Sequence, residues 1–424
     1  MSNLQKQLVL LCLLSILLAN ILTGCGSTTK TSAEAGSDSD ISIKYVRQIV
    51  AADNKTARTI MWQSDVQQEY TLEYRKQGSD ATTRVMAENV SFSEKKASYI
   101  QYKVSLSNLD RGADYEYRIT TAKNKGAWHK LHMDNGEGFT VLIFPDSQSS
   151  DYSGWQELVR SAYKRHSEAK LFVNMGDLVD NGQDASQWRA WFGSVEPFSA
   201  DLAFAPVIGN HEAYSLEWKV TPPISYVNLF HVPNNGLEQY KHQFYSFDYG
   251  PVHFTVLDTN FPEVKAWQSN LLADELLWLE QDLAQSKARW KIILQHRDIF
   301  MYAFSKESGR PERSTWFQDY SKQLMPIYEK YKVDAVLSAH LHTYRRRVPL
   351  RDFKPAKEGI TYILTGVAGN VRYPKLWGDF EWDAARAPQP ETANYMTMQV
   401  DEKSLVFKAF LPDGKQFDEL KLSK

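Results

Sequence analysis

Five residue groups that can bind metal ions stand in the second half of the sequence, each just after a short apolar run. In chain order they are Asp146, Asp177, the adjacent Asn210 and His211, His296, and the pair His340 and His342. Short apolar runs rich in β-branched residues are typical of buried strands. Because chemistry in open α/β sheets gathers at the carboxyl ends of the strands, we expect these side chains to converge. Carboxylate, amide and imidazole ligands in this number suit two cations, which predicts a hydrolytic metalloenzyme.

The spacing within these groups predicts which side chains bind the metal ions and which one faces a substrate. His340 and His342 are two residues apart, so on an extended segment both side chains point the same way. Asn210 and His211 are adjacent and should point apart, which leaves His211 to face a substrate. An imidazole there can stabilise developing charge or protonate a leaving oxygen. Asp177 is a natural bridging carboxylate between two cations.

The elements that must position these residues follow from the apolar pattern. Strands are predicted at 140–144, 171–175, 206–208, 291–294 and 333–337, and helices at 155–169, 271–283 and 316–331. This alternation from about residue 138 onward is typical of an α/β fold. Between residues 43 and 133, short strands separated by turn residues predict a β-sandwich.

Taken in order, the five groups resemble the signature of calcineurin-like metallophosphoesterases. Within that superfamily the sequence is most similar to purple acid phosphatase-like proteins, which carry a fibronectin type III-like domain first. The segment 340–345, His-Leu-His-Thr-Tyr-Arg, fits their Gly-His-x-His-x-Tyr-x-Arg element, with Ala339 replacing the glycine. The segments 106–118, 366–370 and 405–410 also fit. The resemblance implies an all-β sandwich at 43–133, followed at 134–424 by a four-layer α-β-β-α metallophosphoesterase domain.

The same resemblance implies the roles of the site residues. One metal ion would take Asp146, Asp177 and His342, and the other would take Asp177, Asn210, His296 and His340. His211 would be the catalytic histidine, and Asp177 would be both ligand and catalytic residue. Arg345 either clamps a phosphate oxygen, which its forked guanidinium suits, or forms a surface salt bridge.

Two positions depart from the family pattern. Gln148 stands where the superfamily commonly has histidine, and it either binds a metal through its carbonyl oxygen or only supports a ligand. An oxygen ligand there would favour Mn, Mg or Fe over Zn. Asp180 stands where purple members have a tyrosine ligand, so we expect no purple charge-transfer colour. Asp180 is expected to support a ligand.

These observations predict dinuclear-metal-dependent hydrolysis of phosphate monoesters or diesters. The expected cofactors are two divalent or mixed-valence metal ions, drawn from Mn, Fe, Zn and Mg. The alternative is a catalytically weak or inactive surface-binding lipoprotein that retains the fold. The net charge of −2 and the absence of a long basic run predict no nucleic-acid partner.

The N-terminus predicts a membrane tether. Residues 8–22 are mostly apolar, Lys6 precedes them, and Leu22-Thr23-Gly24-Cys25 resembles the lipobox of bacterial lipoproteins. Residues 1–25 are thus expected to be a signal peptide with Cys25 lipidated, and residues 26–42 a flexible tether. The protein would be extracytoplasmic, anchored to a bacterial membrane; an ordinary secretory peptide or uncleaved anchor is the alternative. Cys12 and Cys25 are the only cysteines, so a disulfide framework and a thiolate metal site are excluded.

Two further groups have competing interpretations. His253 lies in a predicted strand and is expected to be a structural histidine and not a ligand. Several aromatic residues follow the motifs directly and either form an aromatic wall for an organic leaving group or pack against neighbouring loops. They are Trp155, Trp188, Trp191, Tyr214 and Trp218.

Overall fold

The protein is described by a computed structural model that covers residues 43–300, 302–304, 311–313, 315–373 and 381–424. The predicted signal peptide, the lipidation site at Cys25 and the tether lie outside these residues. Among the residues described, no helix has the length and apolarity needed to cross a membrane.

The N-terminal part is built from short strands. They are β1 (Ile43–Ile49), β2 (Arg58–Ser64), β3 (Thr71–Lys76), β4 (Thr83–Met86), β5 (Glu88–Asn89), β6 (Phe92–Glu94), β7 (Ala97–Leu106), β8 (Asp114–Thr120) and β9 (His129–His132). Strands β4, β3, β8 and β9 pair in that order in one sheet, whereas β1, β2, β7 and β5 belong to another.

The larger part alternates strands and helices. Its helices are α1 (Ser153–Arg165), α2 (Ala185–Ser199), α3 (Ile224–Leu229), α4 (Phe261–Val264), α5 (Leu271–Gln285) and α6 (Thr315–Lys330). Its strands are β10 (Phe139–Phe144), β11 (Leu171–Asn174), β12 (Ala203–Pro206), β13 (Tyr245–Tyr249), β14 (Val252–Leu257), β15 (Trp290–Gln295), β16 (Tyr302–Phe304), β17 (Pro311–Arg313), β18 (Ala335–Ser338), β19 (Tyr344–Arg347), β20 (Leu350–Arg351), β21 (Lys354–Pro355), β22 (Thr361–Thr365), β23 (Asp383–Arg386), β24 (Tyr395–Val400), β25 (Ser404–Phe410) and β26 (Gln416–Ser423).

Two large sheets face each other in this part. The first runs β26-β25-β24-β10-β11-β12-β1-β2-β7-β5, and the second runs β13-β14-β15-β18-β22-β19-β23. Ile292 and Leu294 of β15 enter the core that also holds β10 and β11 residues, while Ile293 enters the core formed with α5 and α6. Because successive side chains of a strand point to opposite faces, the second sheet is covered on both sides. With α1 and α2 packed on the first sheet, the predicted four-layer α-β-β-α fold is confirmed.

The N-terminal sandwich shares a sheet with the larger part. Strand β1 pairs in parallel with β12, with Gln48 opposite Ala203 and Ile49 opposite Phe204. The buried Gln48 amide and the Tyr117 hydroxyl both donate to the carbonyl oxygen of Ala200, at 2.7 and 2.6 Å. The two parts are therefore joined by backbone pairing as well as by buried hydrogen bonds.

One predicted strand is misplaced. The third strand of the prediction, 206–208, is found instead at Ala203–Pro206. Pairing of β11 with β12 ends at Asn174 and Pro206, because β11 turns away at Gly176, whose φ is 97°. The N–H of Val207 still donates to the carbonyl of Asn174 at 2.9 Å, and the chain then leads into the loop that carries Asn210 and His211.

The tryptophans of α1 and α2 are core residues. Trp155, Trp188 and Trp191 are each 1% exposed. Trp191 packs with Phe172 and Phe204 of the first sheet, Trp155 with Phe144 of that sheet, and Trp188 with Phe192 and Phe230. For these three the aromatic-wall interpretation is wrong. Helices α1 and α2 cover a face of the first sheet that carries large aromatic side chains. Bulky tryptophans on these helices therefore pack against that face.

His253 is confirmed as a structural histidine. Its Nδ1 lies 2.8 Å from Asp248 Oδ1, and its Nε2 lies 2.9 Å from Asp282 Oδ2. Burial alone would lower the pKa of His253, but the hydrogen bonds to the two carboxylates outweigh it and raise the pKa to about 9.

This pKa shift predicts how His253 stabilises the fold. Because its pKa in the folded state exceeds the ordinary value of 6.5, its contribution is complete below pH 6.5 and is lost as the pH rises through about 9. We expect His253→Asn to lower the free energy of unfolding by about 3 kcal/mol at pH 6 and by much less at pH 10. Urea unfolding at both pH values measures this. His132→Asn, which removes a partly exposed pair with Asp114, should change stability by under about 1 kcal/mol. Equal losses for His253→Asn at the two pH values would contradict the prediction.

Candidate metal centre

The candidate ligands come from both large sheets and lie close together at the ends of their strands. Asp146 and Asp177 follow β10 and β11 of the first sheet, whereas His296 and His340 follow β15 and β18 of the second. The backbone N–H of His340 donates to both carboxylate oxygens of Asp146, at 3.1 Å each, which joins the two sheets at this edge. The predicted convergence therefore draws on two facing sheets.

Three of these residues have a left-handed backbone. The φ angles of Asp177, His340 and His342 are 49°, 67° and 51°. The expectation that residues 340–342 are extended is wrong, because the N–H of Leu341 donates to the carbonyl of Ala339 in a tight turn, at 2.7 Å. A non-glycine residue in this region costs about 1–2 kcal/mol, and such strain clusters at functional sites.

The first group of ligand atoms surrounds His296. Its Nδ1–H donates to the carbonyl of Met175 at 2.9 Å, so in the neutral ring Nε2 carries a lone pair. That Nε2 lies 3.1 Å from Asp177 Oδ2, 3.2 Å from Asn210 Oδ1 and 3.2 Å from His340 Nδ1. Burial alone would lower the pKa of His296, but the Asp177 carboxylate outweighs it and raises the pKa to about 9. Once His296 is deprotonated, this crowded set of oxygen and nitrogen atoms is of the kind that binds a cation.

The second group consists of Asp146, Asp177 and His342. The Nδ1–H of His342 donates to the carbonyl of Val371 at 2.9 Å, and its Nε2 lies 3.5 Å from Asp146 Oδ1. Burial, with the Asp177 carboxylate nearby, raises the pKa of Asp146 well above its usual value. A buried carboxylate in this position needs a positive charge beside it.

The two groups share Asp177. In each group the ligand atoms lie within 4.8 Å of one another, with Asp177, His296 and His340 in one and Asp146, Asp177 and His342 in the other. The group with His342 contains the same residues as one implied ligand set. The group with His296 matches the other implied set except for Asn210, whose Oδ1 lies 3.2 Å from His296 Nε2. Their role as metal ligands stays a prediction.

Gln148 supplies a test of whether a cation fits. The side chain is 1% exposed, and its Oε1 has no hydrogen-bond partner among the residues that the structure describes. Its Nε2 lies 3.5 Å from His211 Nε2. A buried carbonyl oxygen without a partner costs about 1–3 kcal/mol, which a bound cation would remove. Of the two alternatives for Gln148, this favours direct ligation.

His211 lies beside the cluster and is more open to solvent. Its Nδ1–H donates to the backbone carbonyl of Asp180 at 2.7 Å, and the Asp180 carboxylate lies 3.4 Å from the same nitrogen. The His211 side chain is 15% exposed, whereas that of His296 is fully buried. Its Nε2 is thus the nitrogen left for a substrate. Asn210 and His211 face different partners, as their adjacency predicted.

Glu212 is a site residue that the sequence analysis did not identify. It is 2% exposed, and its carboxylate accepts hydrogen bonds from the backbone N–H groups of Gly209, Asp177 and Leu178, at 2.7, 3.0 and 2.8 Å, with Val179 at 3.4 Å. Burial and the nearby Asp177 carboxylate raise its pKa to about 7. The available signal was its place directly after Asn210 and His211 in the sequence.

Arg345 is enclosed. The residue is 5% exposed, its Nε donates to Thr343 Oγ1 at 3.1 Å, and its Nη1 lies 3.2 Å from Asp383 Oδ2. The ion pair with Asp383 is therefore buried and does not lie at the surface as one alternative held. Contact with a phosphate stays a prediction.

Comparison with known proteins agrees with this geometry. Residues 139–344 match the family described as calcineurin-like phosphoesterase, and residues 44–133 match the purple acid phosphatase N-terminal domain. The chain is therefore similar to calcineurin-like phosphoesterases over its larger part and to purple acid phosphatases over its N-terminal part. Its fold resembles that of a solved purple acid phosphatase, PPD1 from yellow lupin (Lupinus luteus) seeds, with a TM-score of 0.73 and 18% identity over 90% of the chain and 74% of the lupin protein. PhoD gives a TM-score of 0.62 and 12% identity over 89% of the chain and 88% of PhoD. At these identities the likeness concerns the fold.

Curated relatives include both named enzymes and a protein named as inactive. Acid phosphatase type 7 of Homo sapiens is 27% identical, over 63% of the chain and 64% of the human protein. "Probable inactive purple acid phosphatase 1" of Arabidopsis thaliana is 23% identical, over 62% of the chain and 48% of the plant protein. The chain thus spans about half to two thirds of the length of these relatives.

The family fold implies a dinuclear metal centre, and the residues present fit one. The candidate ligand atoms are all oxygen or nitrogen, and the two groups share the carboxylate of Asp177. The buried Gln148 Oε1 has no hydrogen-bond partner among the described residues. This donor set is compatible with Mn, Fe, Zn or Mg.

Proposed function

We propose that this protein is a phosphoesterase, which hydrolyses phosphate monoesters or diesters with two bound metal ions. The observation that carries the proposal is the pair of buried ligand groups that share Asp177, with the more exposed His211 beside them. When bound, two cations supply Lewis acidity for the attacking water and for the phosphate oxygens. We place them on the two sets named above, with Gln148 as an added oxygen ligand.

His211 has the geometry of a proton donor to the leaving group. Its Nδ1 is occupied by the carbonyl of Asp180, so a proton can be delivered from Nε2. As the water oxygen forms a bond to phosphorus and gives up a proton to solvent, the bond from phosphorus to the ester oxygen breaks. The ester oxygen takes the Nε2 proton of a His211 ring that carries protons on both nitrogens, and the ring is left neutral with its Nδ1–H still bonded to Asp180. The backbone N–H of His211 donates to Asp177 Oδ1 at 2.9 Å, which fixes the residue relative to the bridging carboxylate.

We expect His211→Asn to lower kcat by about 10²- to 10⁴-fold without loss of metal ions. The reason is that the imidazole is placed to deliver a proton and is not part of either ligand group. Steady-state kinetics and metal analysis by plasma mass spectrometry measure the two effects. His132→Asn in the N-terminal sandwich is the matched control and should keep full activity. Loss of one metal ion in His211→Asn would show that the residue is a ligand instead.

The test of the proposed function compares two esters. The purified protein, loaded in turn with Mn, Fe and Zn, is given a nitrophenyl phosphate monoester and the bis-nitrophenyl diester, with Asp177→Asn as the blank. Turnover above the blank supports the proposal, and the faster substrate gives the ester class. No turnover above the blank with any of these metals would contradict it.

The alternative is a binding protein that keeps the fold without catalysis. Gln148, in place of the histidine common in the superfamily, favours this alternative, as does the name of the Arabidopsis relative. His211 with its support from Asp180 favours the enzyme. Tight binding of two metal ions without turnover would select the binding protein.

We also propose that the enzyme is held at the extracytoplasmic face of a bacterial membrane through lipidated Cys25. The support is the apolar segment followed by the lipobox-like residues 22–25. Labelling with a fatty-acid analogue tests this, with Cys25→Ser as the variant and Cys12→Ser as the matched control. Label that persists in Cys25→Ser would contradict the tether.

A further inference from the structure

An exposed tryptophan stands next to the candidate catalytic histidine. Trp218 is 58% exposed, and its ring centroid lies 6.1 Å from that of His211 at an interplanar angle of 86°. Tyr214 completes the arrangement, 4.9 Å from His211 and 6.1 Å from Trp218. His211 is therefore bordered by two aromatic rings, one of which is largely exposed.

A tight hairpin holds Trp218 in this place. The N–H of Ser215 donates to the carbonyl of Lys219, and the N–H of Trp218 donates to the carbonyl of Ser215, both at 2.8 Å. Tyr214 and Val220 form an antiparallel bridge at the base of the hairpin. The Oγ of Ser215, a residue 2% exposed, accepts from the N–H of Lys219 at 3.2 Å. The indole is thus presented by ordered backbone.

Folding gains little from the placement of Trp218. Its φ is 59°, in the left-handed region, which is strained for a non-glycine residue. Its indole stays largely in water, so it gains little of the free energy that burial of a tryptophan provides. Strain together with an exposed aromatic ring beside a reactive group indicates a role in binding.

A second exposed ring contacts another histidine of the centre. Tyr373 is 45% exposed, and its ring centroid lies 4.9 Å from that of His342 at an angle of 46°. Among the described residues, the large exposed apolar side chains are Val66, Met86, Leu216, Trp218, Ile224, Trp267, Leu277 and Tyr373. Trp218 and Tyr373 stand out in this set because each is in ring contact with a histidine of the site.

We infer that the substrates are phosphate esters whose leaving group carries a planar ring, bound against Trp218. This inference rests on the proposed phosphoesterase function. A planar ring or a nucleobase that packs on an aromatic side chain gains binding free energy beyond that of its buried area. An alkyl leaving group such as glycerol lacks that gain. Aryl phosphates and nucleotides both carry a planar ring in the leaving group. A comparison of their kcat/KM values distinguishes the two classes of substrate.

The test measures kcat/KM for three monoesters: 4-nitrophenyl phosphate, adenosine 5′-monophosphate and glycerol 2-phosphate. We expect Trp218→Ala to lower kcat/KM about three- to tenfold for the ring-bearing substrates and less than about twofold for glycerol 2-phosphate. The ring-bearing substrate with the larger loss of kcat/KM in Trp218→Ala identifies the leaving group as aryl or nucleoside. Trp218→Phe keeps a ring and should restore most of the loss. Leu216→Ala, an exposed apolar change in the same hairpin, is the matched control and should change none of the three values.

A binding measurement supports the kinetic one without depending on turnover. Quenching of tryptophan emission by phenylphosphonate should exceed quenching by methylphosphonate in the wild type, and this excess should vanish in Trp218→Ala. Equal effects of Trp218→Ala on all three substrates would overturn the inference and leave the proposed function standing. Absence of turnover with every substrate would overturn the proposed function, and the inference with it.

Discussion

Asp177→Asn is expected to lower kcat for phosphate esters by about 10³-fold or more while the fold stays intact. Asp177 is the carboxylate shared by both ligand groups, so its loss weakens both. The asparagine can still accept the backbone N–H of His211 through Oδ1, which now bonds at 2.9 Å. The substitution therefore removes the negative charge of the side chain but keeps its size and shape.

Two measurements check this prediction together. Plasma mass spectrometry should find fewer than two metal ions per chain in Asp177→Asn, and thermal unfolding should show a melting temperature within a few degrees of the wild type. Asp80→Asn, an exposed change in the N-terminal sandwich, should keep both activity and metal content. Full activity in Asp177→Asn would rule out the dinuclear mechanism.

Glu212→Gln is expected to reduce both stability and activity. The carboxylate now accepts the backbone N–H groups of Gly209, Asp177 and Leu178, and the amide nitrogen of glutamine would face some of these donors. Buried donors without a partner cost about 1–3 kcal/mol each, so we expect a loss of about 2–4 kcal/mol in the free energy of unfolding. Asp177 then shifts relative to His211, and a displacement near 1 Å can lower kcat about 10²-fold.

Urea unfolding and steady-state kinetics measure the two effects of Glu212→Gln. The matched control is Glu157→Gln on the exposed face of α1, which should change neither quantity. Loss of kcat with metal content retained would identify Glu212 as a positioning residue. Wild-type stability and activity in Glu212→Gln would contradict the role assigned to the carboxylate.

The sequence predicted the fold class because its signals are local. The three predicted helices correspond to α1, α5 and α6, and the five predicted strands to β10, β11, β12, β15 and β18, whereas helix α2 was not predicted. The apolar stripe of α5 from Leu271 to Leu283, for example, faces the core. The groups around Asp146, Asp177 and His296 were predictable for the same reason, because each directly follows a buried strand.

Features that depend on distant partners were not predictable from local patterns. The pairing of β1 with β12 joins residues more than a hundred positions apart, so the sandwich was predicted as separate. The left-handed backbone of His340 and His342 depends on a tight turn that the spacing does not reveal. Glu212 acts through backbone groups of the loop after β11, which only the folded chain brings to it.

A metal titration of the metal-free protein bears on the dinuclear site most directly. Hydrolysis of 4-nitrophenyl phosphate is followed as Mn is added in fractions of an equivalent, with bound metal measured in parallel. We expect activity to rise until two equivalents are bound and then to level off, because both ligand groups share Asp177. Activity that is complete at one equivalent, or that is absent with two equivalents bound, would contradict a dinuclear phosphoesterase.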